Sequence, residues 1–224
     1  MGHEENKAFL RRVPLFSGLT ESQFDQLAAG SARRSYPRGR TIVAEGEPSQ
    51  SMYILLAGRA KVQRSDSEGK EVILAVLGSG EFFGEMSLID DAPRSASVIT
   101  LESSEFMAVS REAFKAMLAQ SPEMCMSVMR GLVRRLREAD KKIETLALLD
   151  VYGRVARVLL DFSEMVNGER VVKNRLPRQE IAKMIGASRE MVSRVMKGLE
   201  VDGHIVPLPE GRLVLREKLT SYIS

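Results

Sequence analysis

Gly80-Glu81-Phe82-Phe83-Gly84-Glu85-Met86-Ser87-Leu88, followed shortly by Pro93-Arg94-Ser95-Ala96-Ser97-Val98, contains residue types suited to holding a cyclic phosphate on its sugar. Gly84 lets backbone approach a ligand closely, a short helix beginning near Glu85 aims N–H groups at an anion, and Arg94 supplies a planar fork for phosphate oxygens. The Glu85 carboxylate is an acceptor for a sugar hydroxyl. Without a ligand, the same residues make a turn at Gly84 and a structural ion pair between Glu85 and Arg94, so these residues alone leave both roles open. A second chemically suited stretch presents Ser188, Arg189, Glu190, Ser193, Arg194 and Lys197 on one face of a helix. Arginine reads guanine O6 and N7 through two hydrogen bonds, and glutamate accepts from cytosine N4. No nucleophile or acid–base pair stands out, so an enzyme is not expected.

The first stretch needs a scaffold of strands. From Ser35 to Ser110 short β-rich runs (41–43, 52–56, 60–62, 72–76, 96–101 and 105–109) are punctuated by glycines, which argues for seven or eight strands in an antiparallel roll or barrel. Before them, Thr20 can cap a helix carrying Phe24, Leu27 and Ala28 on one face, and Gly30 stops it. The second stretch needs two helices and a corner. Pro177 opens a helix through Ile185, Gly186 supplies the turn, and another helix runs from about Ser188 to Glu200, with Ile181, Ala182, Ile185, Val192 and Val195 between them. Runs 205–208 and 212–215, joined through Pro209-Glu210-Gly211, read as a hairpin wing.

Between the two lies one long helix, from Ser121 to Asp150. Cys125, Met129, Leu132, Leu136, Ala139, Ile143 and Leu146 recur as a heptad seam, and Arg130, Arg134, Arg135, Arg137, Glu138, Lys141, Lys142 and Glu144 surround it. That distribution leaves little apolar surface for a second packing face and favours a parallel homodimer over a seam packed on the chain's own sensor. Asp150 then caps a new helix with a stripe of Val151, Val155, Val158, Leu159, Phe162 and Val166, ended by Asn167-Gly168, which makes residue 150 a hinge.

Composition narrows the class. The 224 residues suffice for two modest domains, and no apolar run or leader suggests membrane insertion or export, so a cytoplasmic protein is expected. A single cysteine and two histidines, His3 and His204, make an iron–sulfur cluster, haem or another metal site unexpected. The net charge of +3 is unevenly spread. Residues 1–150 hold 20 Lys and Arg against 21 Asp and Glu, net −1, whereas 151–224 hold 13 against 9, net +4. A small basic domain suits a nucleic-acid partner.

Both stretches carry a resemblance. The segment from Gly80 to Val98 resembles the phosphate-binding cassette of cyclic-nucleotide-binding domains, and Arg178-Gln179-Glu180-Ile181 with Ser188-Arg189-Glu190-Met191-Val192-Ser193-Arg194-Val195 resembles the recognition motif of the catabolite activator and fumarate–nitrate reductase regulator family. The resemblance implies an α+β chain with a β-roll sensor (1–120), a dimerisation helix (121–150) and a winged helix-turn-helix (151–224). It implies that Gly84, Glu85, Met86, Ser87, Arg94, Ser95 and Ala96 bind a cyclic nucleotide, with Glu85 on the ribose hydroxyl and Arg94 and Ser95 on the phosphate. It further implies that Arg189, Glu190 and Arg194 read a TGTGA-like half-site in double-stranded DNA, with Gln179 and Ser188 on phosphates, and that RNA polymerase is a partner. The two base-contacting positions of the family's long helix fall on Ala139 and Asp140, where its cyclic-AMP sensors carry hydroxyls. Asp140 accepts only, from adenine N6 or from guanine N1 and N2, so cyclic AMP and cyclic di-GMP both stay open. A member answering another signal and a nucleotide-binding subunit without DNA binding are the alternatives; the latter leaves the basic C-terminal part unexplained.

Overall fold

Alternation along the central strands separates two cores in the N-terminal part. A computed structural model describes residues 3–223; residues 1, 2 and 224, which the expected outer domains include, lie outside the described ones, as does the side chain of His3. The chain divides into two compact units, residues 1–135 and 136–224.

In the first unit, helices α1 (His3–Leu10) and α2 (Glu21–Ala29) precede eight strands: β1 (Ser31–Tyr36), β2 (Thr41–Val43), β3 (Ser51–Ala57), β4 (Ala60–Ser65), β5 (Glu71–Leu77), β6 (Phe82–Phe83), β7 (Ser97–Thr100) and β8 (Ser104–Ser110). Thr20 caps α2 in a capping box with Gln23, and Gly30 closes it. The strands form two antiparallel sheets, ordered β1-β8-β3-β6 and β2-β7-β4-β5. Successive side chains of β3 point to opposite faces. Met52, Ile54 and Leu56 therefore join Phe16, Leu27, Phe114 and Met117 in the core under the helices, whereas Leu55 meets Val43, Ala60, Leu77, Phe83, Val98 and Phe106 between the sheets. Strand β1 begins earlier than the sequence suggests; its pattern of alternating half-buried and exposed residues, with Arg33 and Arg34 inside it, hides it from an apolar-run search.

A short helix, α3 (Met86–Ile89), follows β6, and α4 (Arg111–Gln120) follows β8. Helix α5 (Pro122–Leu148) starts where Ser121 Oγ accepts from Met124 N at 3.1 Å. Its first half corrects the expected seam. Met124, Val128 and Gly131 are buried, Leu132 packs on the helix-side core, and the Cys125 thiol lies 3.1 Å from the Leu118 carbonyl. A second packing face therefore exists. The exposed apolar stripe includes Met126, Met129, Val133, Leu136, Ile143 and Leu146; Met126 and Val133 stand one residue beyond the expected Cys125 and Leu132, whereas Met129, Leu136, Ile143 and Leu146 are expected members of the seam. Asp140 occupies the register position between Leu136 and Ile143 on that stripe.

The second unit contains the end of α5, α6 (Val151–Asp161), α7 (Arg178–Ile185), α8 (Arg189–Val201) and a sheet ordered β11-β12-β10-β9, made of β9 (Glu164–Val166), β10 (Glu169–Val172), β11 (Ile205–Pro207) and β12 (Leu213–Leu215). Asp150 caps α6 by accepting from Gly153 N at 2.9 Å. The helix ends at Asp161, not at Asn167-Gly168. Those two residues, with φ of 49° and 85°, turn the β9–β10 hairpin, and Val166 belongs to β9. An Asn-Gly pair with both φ positive is the turn that a two-residue hairpin requires. Val155, Ala156, Leu159, Ile181, Ala182, Ile185, Val192, Val195 and Leu199 form one core.

Candidate functional site

Strand β6 delivers Gly84 and Glu85 to the sensor's cassette, and the loop after α3 delivers Arg94. Gly84 has φ +84°, a conformation that favours glycine. A Cβ there would lie 2.2 Å from Arg94 Nη1, so the group that approaches this backbone is the arginine's own fork. Arg94 is 6% exposed; its Nη1 donates to Gly84 O at 2.9 Å and its Nη2 to Ser51 O. Its backbone is held as well, the N–H by Glu47 O and the carbonyl by Gly46 N. Burial depresses its pKa, and the neighbouring Tyr53 and Glu85 oppose that shift.

Glu85 is fully buried. One oxygen, Oε1, accepts from Arg135 Nη1 at 2.7 Å, while Oε2 is buried without a hydrogen-bond partner. Burial raises the Glu85 pKa, with Arg135, a backbone hydrogen bond and Arg94 acting the other way. A direct Glu85–Arg94 ion pair, one of the two readings open from sequence, is replaced by Glu85–Arg135. Arg135 was expected among the solvated charges around the seam. It instead sits with its guanidinium 4.9 Å from the Phe82 ring centre and also donates to Phe82 O. Four residues before it, Gly131 brings α5 against the same ring: a Cβ there would lie 2.8 Å from Phe82 Cζ. The signal in the sequence was the second stripe of Met124, Val128, Gly131 and Arg135, which lies at helical spacing but mixes apolar, small and charged types.

The other cassette residues differ in setting. Ser87 is buried and its hydroxyl donates to Pro93 O at 3.2 Å; Ala96 is buried; Met86 and Ser95 are exposed. Asp91, in the left-handed region at φ 57°, is tied to Arg111 and to Lys115 Nζ, which hold its pKa below the ordinary carboxylate value. Arg111 also donates to Ser49 O at 2.7 Å. The loop ending in Arg94 is thereby stitched to the start of α4. On α5, Ala139 and Asp140 are exposed.

In the second unit Gly186 takes φ 65° between α7 and α8, and Ser188 caps α8 by accepting from Met191 N at 3.1 Å. Ser188, Arg189, Glu190, Arg194 and Lys197 are exposed on α8, Ser193 is half-buried and Gln179 on α7 is exposed. One helix thus offers cations and an acceptor together, as major-groove reading requires. Among the described residues, no group of three or more His, Cys, Asp or Glu side chains could hold a metal ion, and no helix is long and apolar enough to cross a membrane.

A β-roll with this cassette, a long helix and a winged helix-turn-helix define a cyclic-nucleotide-responsive transcription regulator. Residues 33–121 match the cyclic nucleotide-binding domain family and residues 153–221 the Crp-like helix-turn-helix domain. The chain is 37% identical over 208 residues to the cyclic AMP receptor protein of Thermus thermophilus, covering 93% of this chain and 94% of that protein. It is 34% identical over 210 residues to a CRP-like cAMP-activated global transcriptional regulator of Mycobacterium tuberculosis, covering 92% and 93%. The c-di-GMP responsive global regulator CLP of Xanthomonas campestris superposes with a TM-score of 0.75 at 29% identity, over 88% of this chain and 99% of that one. The chain belongs to the CRP/FNR family of transcription regulators.

Proposed function

We propose that the protein is a homodimeric cytoplasmic regulator that binds a cyclic nucleotide in the cassette and inverted TGTGA-like repeats through α8. The observation that carries the ligand reading is the bare Oε2 of the fully buried Glu85, an acceptor without a donor in the same cassette as the buried Arg94. A sugar hydroxyl supplies the donor that Oε2 lacks. Arg94 exchanges two neutral carbonyls for phosphate oxygens, a stronger charge-assisted pairing. Gly84, Met86, Ser87, Ser95 and Ala96 shape the remaining wall. Asp140 reads the base, taking protons from adenine N6 in cyclic AMP or, with two hydrogen bonds, from guanine N1 and N2 in cyclic di-GMP.

On DNA, Arg189, Glu190 and Arg194 contact base edges, Gln179 and Ser188 contact phosphates, and Ser193 and Lys197 complete the DNA-facing side of the helix. Two copies joined along the exposed stripe of the 121–150 helix place two α8 helices in successive major grooves, and RNA polymerase is a further partner. The nucleotide acts as a switch by binding the DNA-competent state more tightly than the other.

Calorimetric titration with cyclic AMP, cyclic GMP and cyclic di-GMP, each repeated with a TGTGA palindrome present, tests this reading. Tight cyclic AMP binding makes Asp140 an acceptor for N6. Preference for a guanine nucleotide makes it the specificity determinant, and no binding by any of the three overturns the cassette's assignment.

A further inference from the structure

Arg154, in the second turn of α6, is half-buried and reaches two other elements at once. Its Nε donates to Leu149 O at 3.2 Å and its Nη1 donates to Ile185 O at 3.1 Å. Both acceptors are carbonyls at helix ends. Leu149 follows the last residue of α5, and Ile185 is the last residue of α7, directly before the left-handed Gly186. The final carbonyls of a helix lack intrahelical partners and carry the negative end of its dipole. A guanidinium suits two such ends together, because its donors form a rigid fork and its charge is favourable at both. Lysine, a point charge on a flexible stem, cannot hold two separate carbonyls in fixed geometry.

The surroundings leave α6 little room to shift. A Cβ on Gly153 would fall 2.6 Å from Tyr222 O and 3.1 Å from Leu149 Cβ, so the first turn of α6 is gripped between the hinge and the C-terminal segment. Asp150 ties the same turn from its cap, accepting from Gly153 N. The Arg154 fork therefore starts from a fixed base. Beyond Ile185, Gly186 and Ala187 both send their N–H groups to Ala182 O, and α8 begins immediately after them. Few rotatable bonds separate the clamped carbonyl from the first residue of the recognition helix.

We propose that Arg154 is a positioning residue for DNA recognition: by clamping the end of α5 to the turn before α8, it sets the half-site spacing that a dimer reads. The inference rests on the DNA-binding reading above. Its physical basis is geometric. In a dimer, α5 and α8 are fixed to the two-fold axis through this clamp, so loosening it lets each α8 swing without altering the side chains that read bases. Shifting a half-site by one base pair turns its groove by roughly 35° about the duplex, which a rigid pair of α8 helices does not follow.

The test compares the full-length wild type with Arg154→Lys and Arg154→Met on palindromes that differ only in spacer length, one base pair at a time. Amide exchange is followed on the same proteins without DNA. Wild type is expected to prefer one spacer by about tenfold or more, and Arg154→Met to compress that preference to within about threefold while still rejecting altered half-sites. Arg154→Lys should fall between them, and it carries the comparison if the methionine variant melts early. Exchange of the Gly186 and Ala187 amides should quicken in both variants. Equal weakening on every spacer with the preference intact, or unchanged exchange at Gly186 and Ala187, overturns the proposal. A wild type with no sequence preference on any palindrome rejects the DNA-binding reading instead, and the exchange comparison then decides the clamp separately.

Discussion

Glu85 and Asp91 lie in the same cassette and titrate with opposite consequences for stability. Asp91 is held low by Lys115 and Arg111, so its contribution is present above the unfolded pKa and is lost as pH falls through the folded one. Glu85 is held high by burial, so its contribution is present below the unfolded pKa and is lost as pH rises through the folded one. When Glu85 is charged, its burial is a cost that a donor bound at Oε2 relieves. Glu85→Gln is therefore expected to gain melting temperature relative to wild type as pH rises, with the two curves converging in acid. Thermal melts at pH 7 and in acid check this, and nucleotide affinity should fall at least tenfold, a loss of about 1.4 kcal/mol or more. On α8, Arg194→Ala should cost roughly 1–3 kcal/mol and relax selection at one base position, read by competition binding on single-base variants of the half-site. These residue types and their spacings were legible in the sequence because Gly84, Glu85 and Arg94 lie close along the chain. Arg135 was not, because its partner Glu85 is brought to it only by the packing of α5 on β6.

At the scale of elements, caps and turns were the most legible features. Thr20, Asp150 and Ser188 each accept from the backbone N–H three residues on, and Gly186 takes the left-handed turn, since these depend on local chemistry alone. Where period and punctuation pointed the same way but tertiary context decided, the reading failed: the stripe through Val166 belongs partly to a helix and partly to a strand. The first half of α5 shows the same limit. Met124 and Val128 face the sensor core while Met126, Met129 and Val133 face outward, so apolar residues cover more than one stripe and periodicity alone does not assign the partner. Gly131 marks the buried side. Gly131→Ala should press on the Phe82 ring and cost about 1–3 kcal/mol through overpacking, despite alanine's better helix propensity. Denaturant melts of the variant, with nucleotide titration alongside, measure both the strain and any displacement of Arg135 from Glu85.

At the scale of the whole molecule, the exposed stripe on α5 is where the proposed homodimer joins. Leu136 is 62% exposed and Ile143 64%, values expected of apolar side chains awaiting another surface. Leu136→Lys should shift sedimentation toward the single chain and weaken binding to a full palindrome far more than to a half-site, while leaving the melting of the sensor unit near wild type. Asp140, on the same stripe, interrupts it with a charge, so in the proposed homodimer the contact there is weaker than an unbroken seam allows. A different consequence follows from the exposure of nearly every residue between Leu136 and Leu148. An exposed helix turn opens more readily than one packed in a core, and opened backbone is what proteases cut. Lys141 and Lys142 place tryptic sites inside this stretch, so in the proposed homodimer limited trypsin should cut dilute protein there faster than concentrated protein. Under the proposed pairing, turnover of the regulator follows its own concentration, with scarce chains cleared fastest.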